Sequence, residues 1–391
     1  GIHYVGQMQE GSITRFMVDQ LTEGQLEWAR LPSAYDAVIL GEPGAGTTYR
    51  IHAGKEEYFR GLKERFPGEG AAIDEFRRLV ESIRRGCVMM GFLKMAPRPL
   101  GTLLCRSGLL PWLSPFCRLA ARSLEEVVAG ITANRELRAV LSYIFPTYGR
   151  WPRGAGAARK APVQRILLDS QGKACGECQH GTGHTGLLPV AALLLTGAVP
   201  APSPLSLPGV SVKKGQDLVN IFAPVIISDA GIFNTYERLL PPEARELPEI
   251  QSQLRMMTHG EGGFTVFVGL NGSSEELGLE PTNYFMYSGS DLDEIMSRYL
   301  ASSREEAAKN IPVLFVACPS AKDPTWEMRH PGKSTMAIVT FAKYEWFEEW
   351  KDEQVKKRGD DYEELKQTFV DTIMQAVFKL YPRIQDRVKK L

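Results

Sequence analysis

The chain has 391 residues, which is enough for two or three domains with sizeable hydrophobic cores. Hydrophobic residues make up 43% and charged residues 24%, an ordinary globular composition, and the formal net charge is zero. A protein that binds nucleic acid through phosphate contacts usually carries a basic excess, so we expect no nucleic-acid partner. The 6 cysteines are too few for a disulfide framework in a chain of this length.

The N-terminal region predicts strands followed by helices. Residues 1–52 contain apolar runs such as Ala37–Leu40 and turn-rich stretches between them, which is typical of short strands. From Lys55 onward the apolar residues recur three or four positions apart, as on one face of a helix. Ser123, with Glu126 three residues later, predicts the capped start of a further helix.

The middle of the chain contains two segments that suit neither a helix nor a strand. Residues 150–161 are rich in Arg, Gly and Ala, and residues 177–209 run from a Gly- and His-rich stretch into a Pro- and Ser-rich one. We expect both to be poorly ordered. A long loop adds closure entropy only slowly, so we expect 177–209 to loop out while a strand over 166–176 pairs with a returning strand over 210–222. A buried strand then ends at Ser228–Gly231.

The last third of the chain has the clearest pattern. Strands are expected at 264–270, 283–287, 312–317 and 335–341, and helices at 291–301, 303–310, 343–355 and 361–381. Alternation along the first of these strands puts Val266 and Val268 on one face and Phe267 on the other. The pattern alone leaves open which of the two faces meets the helices.

These elements predict an α/β or α+β protein with a mixed or antiparallel sheet backed by helices. We expect three regions: an N-terminal region of strands and helices over 1–149, a β-meander with a disordered insert over 150–259, and a sheet-and-helix domain over 260–391.

Two short motifs suggest cofactors, but neither has the context that its chemistry needs. Gly181–Gly186 matches a dinucleotide fingerprint, yet no buried strand precedes it and Pro189 follows closely. The pair Cys175-Gly-Glu-Cys178 lies only one residue before His180, whereas a zinc finger needs about a dozen residues between its ligand pairs. We therefore expect no metal. No nucleophile and base occur at a readable spacing, so the catalytic residues stay unassigned.

A longer pattern is more specific. It joins Val163-Gln-Arg-Ile-Leu-Leu-Asp169-Ser-Gln-Gly172-Lys-Ala-Cys-Gly176 to the strand ending at Ser228–Gly231 and to Tyr236-Glu-Arg-Leu-Leu240. The pattern resembles the phytoene-desaturase-like branch of FAD-dependent oxidoreductases. Four further segments narrow the resemblance to members that act on retinoids: Gly1–Gly6, Leu141–Gly149, Asp323–Trp326 and Tyr344–Trp350.

The resemblance implies a flavoprotein that uses FAD, with NAD(P) as a possible electron source, and that saturates one double bond of a retinoid by hydride transfer. It also implies an apolar substrate tunnel and a location at the endoplasmic reticulum membrane, with any membrane surface association made through segments missing from this chain. Members of the family open with a GxGxxG unit, and this chain starts after it. We therefore expect an incomplete FAD/NAD(P)-binding-type fold that does not retain FAD. The alternative is an inactive fragment that at most binds a hydrophobic ligand or a partner.

By the same resemblance, eight residues take positions near the cofactor or the substrate. The cofactor positions are Gly1, Val163, Asp229 and Ala230, and the substrate positions are His3, Tyr4, Tyr284 and Tyr287.

Overall fold

The computed structural model describes residues 8–95, 97–119, 122–148, 177–179, 209–257, 261–354 and 356–390. The chain divides into a larger unit, Gly1–Leu195 with Glu261–Leu391, and a smaller unit, Thr196–Gly260. The described strands are β1 Trp28–Arg30, β2 Ala34–Leu40, β3 Thr47–His52, β4 Glu177–Gln179, β5 Gly209–Lys214, β6 Asp217–Phe222, β7 Gly262–Asn271, β8 Asn283–Tyr287, β9 Val313–Ala317, β10 Lys333–Ala342 and β11 Val388–Lys390.

The described helices fall before, within and after these strands. They are α1 Ile13–Leu21, α2 Lys55–Arg65, α3 Gly70–Met95, α4 Arg98–Arg106, α5 Leu110–Leu113, α6 Pro115–Leu119, α7 Leu124–Ile131, α8 Arg135–Ser142, α9 Pro242–Arg245, α10 Pro248–Met256, α11 Ser274–Leu277, α12 Leu292–Ala301, α13 Arg304–Lys309, α14 Pro319–Lys322, α15 Trp326–Arg329 and α16 Asp360–Leu380.

A seven-stranded sheet in the order β11-β7-β10-β9-β8-β2-β3 organises the larger unit. Its neighbours are antiparallel except β2 and β8, which pair in parallel from Asp36 opposite Asn283 to Leu40 opposite Tyr287. The sheet is therefore mixed and backed by helices, which confirms the predicted α/β class. β2 and β3 come from the predicted first region and join strands of the predicted third region. The three-region division stays a prediction.

Helices pack through apolar side chains against both faces of this sheet. On one face, which we call the cap face, strand residues such as Val38, Phe285 and Phe315 pack with side chains of α2, α3, α7, α8 and α12. On the opposite face, which we call the α16 face, residues such as Val266, Met286 and Ile338 pack with Ile373, Met374 and Val377 of α16. Each face therefore has its own hydrophobic core.

The predicted helix start at Ser123 is confirmed. The Ser123 hydroxyl accepts a hydrogen bond from the Glu126 backbone N–H at 3.1 Å, and the Glu126 carboxylate accepts one from the Ser123 N–H at 3.0 Å. These two bonds satisfy donors that a helix N-terminus otherwise leaves without a partner.

The predicted strands of the last third are also confirmed, within two residues at either end. The helix expected over 343–355 is wrong, because the chain forms two 3-10 turns, Tyr344–Trp346 and Glu348–Trp350. Tertiary packing explains the difference: the Trp346 ring meets Tyr299 at 5.3 Å while the Trp350 ring meets Tyr362 at 5.2 Å. The expectation of strands and turns over 1–52 is wrong at α1, where the Ser12 hydroxyl accepts a hydrogen bond from the Arg15 N–H and begins a helix.

The smaller unit contains a β-hairpin of β5 and β6 in which Lys214 pairs with Asp217. Gly215, at a φ of +66°, occupies the first central position of the two-residue turn, where a glycine is favoured. The expected single returning strand over 210–222 is therefore wrong, since this glycine turns the chain back on itself. The expected buried strand ending at Ser228–Gly231 is also wrong, because 223–231 forms no strand and Val225 is exposed.

Segments 150–161 and 163–176 lie outside the described residues. So does the predicted insert 177–209, apart from β4, which pairs with β1, and Gly209 at the start of β5. The predicted pairing of 166–176 with 210–222 therefore stays a prediction.

Candidate functional site

The cap face of the sheet has an exposed aromatic side chain near one edge. Phe267 of β7 is 71% exposed, and Thr265 beside it on the same face is also exposed. Their partners across β10 are Ala337, which is buried, and Val339, which is half-buried against the cap-face core. We call Thr265, Phe267 and Val339 the open strip. A large apolar ring left exposed on a sheet face suits contact with an apolar ligand.

The strand itself explains why Phe267 points away from the α16 core. Side chains alternate along β7, so Val266, Val268 and Leu270 are buried on the α16 face, and Phe267 lies opposite. The structure thus settles the orientation that the sequence pattern left open.

Tyr287, one of the expected substrate residues, lies on the cap face but is buried in the core. Its hydroxyl donates a hydrogen bond to the Tyr143 carbonyl oxygen, and its ring lies 6.0 Å from that of Phe145. Burial, together with the charge of Asp36, raises its pKa well above the usual range of a phenol. Tyr287 is therefore a neutral phenol at physiological pH, and its proton is already shared with a carbonyl.

Tyr284, the other expected substrate residue in β8, lies on the opposite face. It is three positions from Tyr287, an odd spacing, so the two rings point to opposite sides of the sheet. The Tyr284 hydroxyl donates to the Glu280 carboxylate at 3.0 Å, and its ring meets Tyr381 edge-on at 5.9 Å. Burial, then the Glu280 charge, raises the pKa of Tyr284 to about 12. One ligand lying on one face therefore cannot contact both tyrosines.

Two sizeable cavities lie beside these tyrosines. One, of about 690 Å³, follows the edge strand β3 and is lined by Tyr49, Ile51, Arg50, Tyr58 and Tyr284 among others. Another, of about 560 Å³, lies at the carboxyl ends of β2 and β8 and is lined by Tyr287, Tyr299 and Ile311, with Glu42, Arg298 and Lys379 adding charge. Both cavities mix apolar and charged side chains. Neither is the apolar tunnel with few polar groups that the resemblance implies.

A buried polar network connects the cap face to the parallel strand pair. Asp36 is fully buried, and its carboxylate accepts hydrogen bonds from the Tyr143 hydroxyl at 2.9 Å and from the Asn283 side-chain amide at 3.1 Å. The Asn283 side-chain oxygen in turn accepts from the Lys322 ammonium group. Hydrogen bonds of this kind offset the cost of removing a carboxylate from water.

A cavity of about 210 Å³ between α7 and α12 is lined by the carboxylates of Glu125, Asp291 and Asp293 and by Arg135 and Arg138 of α8. Burial raises the pKa of Asp293 to about 6, and the charges of Glu125 and Asp291 add to the effect. Glu125 belongs to α7, whereas Asp291 and Asp293 belong to the turn that leads from β8 through Gly289 into α12. A pyrophosphate would be repelled there, so this strand-to-helix turn does not fit the phosphates of a dinucleotide.

The structure brings together few of the eight residues expected from the resemblance. Gly1, His3, Tyr4 and Val163 lie outside the described residues. Asp229 and Ala230 are exposed in the smaller unit, where the Ala230 carbonyl accepts a hydrogen bond from the Asn234 side-chain amide at 2.9 Å. Within the part of the chain that the structure describes, no group of three or more His, Cys, Asp or Glu side chains is arranged to hold a metal ion.

The polar network was not identified from the sequence, although one signal was available. Asp36 is a lone charged residue in the strand Ala34-Tyr-Asp-Ala-Val-Ile-Leu40, whose other members are apolar. A charge inside a buried strand is seldom tolerated without partners. The partners themselves lie more than 100 positions away, and no local pattern points to them.

The sequence is similar over its whole length to curated oxidoreductases. It is 44% identical over 401 residues to "All-trans-retinol 13,14-reductase" of Danio rerio and 43% identical over 430 residues to the protein of that name from Homo sapiens. A second Danio rerio homologue, "Inactive all-trans-retinol 13,14-reductase", is 31% identical over 401 residues. Each alignment covers 100% of this chain and 65% of the relative, so the chain spans about two-thirds of their length at most.

Similarity to solved structures is weak. Wild-type putrescine oxidase bound to putrescine aligns with a TM-score of 0.47 at 14% identity, covering 98% of this chain and 71% of the oxidase. A score of this size carries no argument about chemistry. No protein-family model matches the chain.

Proposed function

We propose that this chain belongs to the all-trans-retinol 13,14-reductases and forms part of a flavin-dependent enzyme that saturates one double bond of all-trans-retinol. The observation that carries the proposal is the identity of 41% to 45% with four proteins of that name, maintained across the whole chain. A chance similarity, or one confined to a shared cofactor motif, would not extend through every helix and strand.

We assign the open strip to the substrate side of this reaction. A polyene presents a long apolar surface and very few polar atoms, so it is recognised by apolar contact. Phe267 offers a flat exposed ring for such contact, and Thr265 and Val339 extend the same surface. Tyr287 is proposed as a positioning residue that supports the cap face from within the core, since its hydroxyl is already bonded to Tyr143.

FAD is the cofactor that the resemblance implies, and NAD(P) is a possible electron source. The acidic turn into α12 does not fit its pyrophosphate, so we assign no residue of that turn to the dinucleotide. The expected cofactor positions Gly1, Val163, Asp229 and Ala230, and the substrate positions His3, Tyr4 and Tyr284, remain proposals. Location at the endoplasmic reticulum membrane is likewise proposed, on the resemblance and on the apolar character of a retinoid.

The alternative function is an inactive protein that only binds a hydrophobic ligand or a partner. One observation supports this alternative, because one of the homologues is named as inactive. This chain is less similar to that homologue, at 31% identity, than to the 44% identical reductase from the same organism. The comparison therefore favours the reductase.

Retinol binding and product formation separate these functions. The purified chain would be mixed with all-trans-retinol and binding followed by retinol fluorescence. FAD and dithionite would then be added and the product analysed by mass spectrometry for the gain of two hydrogens. Saturable binding with a reduced product supports the reductase. Binding without product supports the alternative, and no binding contradicts both.

A matched pair of variants tests the open strip in the same assay. Phe267→Asp should weaken retinol binding about tenfold or more, because an apolar contact is replaced by a charge. Met328→Asp serves as the control, since Met328 is also strongly exposed and lies outside the strip. If both variants weakened retinol binding equally, the open strip would not be the substrate surface.

A further inference from the structure

One segment of the larger unit has a charge composition unlike the rest of the chain. The protein has 46 basic and 46 acidic residues overall, yet no Asp or Glu occurs between Glu81 and Glu125. The basic residues in that interval are Arg84, Arg85, Lys94, Arg98, Arg106, Arg118 and Arg122. The segment therefore has a formal charge of +7 in a protein of zero net charge.

The same segment exposes large apolar side chains. They lie at the end of α3, along α4 and around α5: Met95, Leu100, Leu103, Leu109 and Trp112. Trp112 is 87% exposed and Leu103 is 65% exposed, so neither side chain has a core to occupy. We call these five residues, together with the exposed arginines Arg85, Arg106, Arg118 and Arg122, the basic apolar surface.

The basic apolar surface is attached firmly to the rest of the larger unit. The first half of α3 is buried through Ile73, Phe76, Val80 and Ile83, and the helix then continues to Met95. Helix α6 packs closely on α3 at Gly86, where a Cβ atom would lie 2.4 Å from the Cβ of Phe116. This close approach holds α5 and α6 against α3 and presents Trp112 on a supported structure.

We propose that the basic apolar surface binds an anionic lipid bilayer, with Leu103, Leu109 and Trp112 entering the headgroup region and the basic residues facing lipid phosphates. Amphipathic helices that lie in a membrane surface combine Leu and Trp on one side with Lys and Arg on the other. Tryptophan is enriched at the membrane–water interface because its ring is apolar and its N–H is polar.

The charge of the basic apolar surface favours a lipid bilayer over a second copy of the chain as its binding partner. Two copies meeting through the basic apolar surface would bring its four arginines against the same four of the other copy, and like charges at short range repel. An anionic bilayer supplies the complementary charge over a wide area. Among the described residues no helix is long and apolar enough to span a membrane.

Vesicle co-sedimentation of the full chain tests the proposal. The vesicles would contain phosphatidylcholine alone or phosphatidylcholine with phosphatidylserine. We expect strong co-sedimentation with the anionic vesicles, and weaker binding to the neutral ones and at higher salt. The double variant Leu103→Ser/Trp112→Ser should lose about tenfold or more in partition coefficient. Arg106→Gln/Arg122→Gln should lose roughly fivefold for each charge removed, on anionic vesicles only.

Two control variants and one independent signal accompany these measurements. Met328→Ser removes an exposed apolar side chain elsewhere, and Arg298→Gln removes an exposed charge elsewhere, so both should bind like the unmodified chain. Circular dichroism would verify that every variant is folded. Trp112→Phe should reduce the quenching of tryptophan fluorescence by lipids brominated near the headgroup.

Three results would overturn the proposal. They are the absence of binding to anionic vesicles, equal losses in the test and control variants, and a concentration-dependent dimer that the Leu103→Ser/Trp112→Ser change dissociates. The last result would identify a second copy as the occupant. None of these readouts depends on retinol or a flavin, so this proposal stands or fails separately from the reductase activity.

Discussion

The hydroxyl of Tyr143 donates a hydrogen bond to Oδ2 of Asp36 at 2.9 Å, across 107 positions of sequence and within a fully buried environment. This contact joins the segment after α8 to strand β2, which lies between β8 and the edge strand β3. Tyr143→Phe removes a donor from a buried carboxylate while leaving the ring in place. We expect a loss of about 1 to 3 kcal/mol in the free energy of unfolding, measured with urea.

The control for this substitution is Tyr344→Phe, which removes an exposed hydroxyl. It should change the free energy of unfolding by less than about 0.5 kcal/mol. If Tyr143→Phe were as mild as the control, the Asp36 network would have no role in stability.

Neighbouring residues of β7 give an internal test of the two faces. Val268→Asp places a charge in the α16 core and should prevent folding, because an unpaired buried charge is very costly. Phe267→Asp, one position away, should leave the free energy of unfolding within about 0.5 kcal/mol of the original, since its side chain is exposed. Circular dichroism and thermal unfolding would measure both. Unfolding by Phe267→Asp would contradict the described orientation of the strand.

The raised pKa of Asp293 predicts a pH dependence of stability. Burial raises the pKa of Asp293 from 3.8 to about 6, so the folded protein binds this proton more tightly than the unfolded chain does. Stability should therefore fall as pH rises from about 4 to about 6, and the loss is complete above that range. Asp293→Asn should stabilise the protein by roughly 1 to 2 kcal/mol at pH 7, because water still partly screens the carboxylate, and by nearly nothing at pH 4.

Glu294→Gln is the matched control for this titration. Glu294 is the next residue of the same helical turn, but it is exposed and paired with Arg298. Its removal should leave the slope of stability against pH between 4 and 6 intact. A slope that survives in Asp293→Asn would assign the titration to another group.

The capping box of α7 predicts a local loss of stability. Ser123→Ala removes the acceptor for the Glu126 N–H, and we expect the free energy of unfolding to drop by about 1 kcal/mol. Ser288→Ala, at an exposed position, should be nearly neutral by the same urea measurement. A neutral Ser123→Ala would show that α7 is held by packing alone.

Local patterns were sufficient for much of the fold. The alternation of Val266 and Val268 predicts β7, and Ser123 with Glu126 predicts the start of α7, because both signals lie within a few residues. The pattern failed where packing between residues distant in sequence determines the local structure. The spacing of Trp346 and Trp350 looks helical, but the Trp346 ring packs on Tyr299 and the Trp350 ring packs on Tyr362. Gly215 turns the chain back on itself, so residues 210–222 form a hairpin where the pattern predicts a returning strand.

The site was less predictable than the fold. The resemblance places Tyr284 and Tyr287 together, but the period of two in a strand separates them onto opposite faces. Phe267 is exposed whereas the valines beside it are buried, and this difference depends on helices that are remote in sequence. Asp36 has partners at positions 143 and 283, and such pairings cannot be read from a single chain.

The parallel pairing of β2 with β8 has a consequence for biosynthesis. Asp36 and Asn283 are 247 positions apart, and they pair side by side on neighbouring strands inside the sheet. At a translation rate of about 5 to 20 residues per second, β2 would leave the ribosome roughly 12 to 50 s before its neighbour is made. During that interval the apolar strand β2 can pair with β3 on one side, while its other edge stays unpaired. Nascent chains whose translation is arrested before β8 is made should therefore be bound by chaperones.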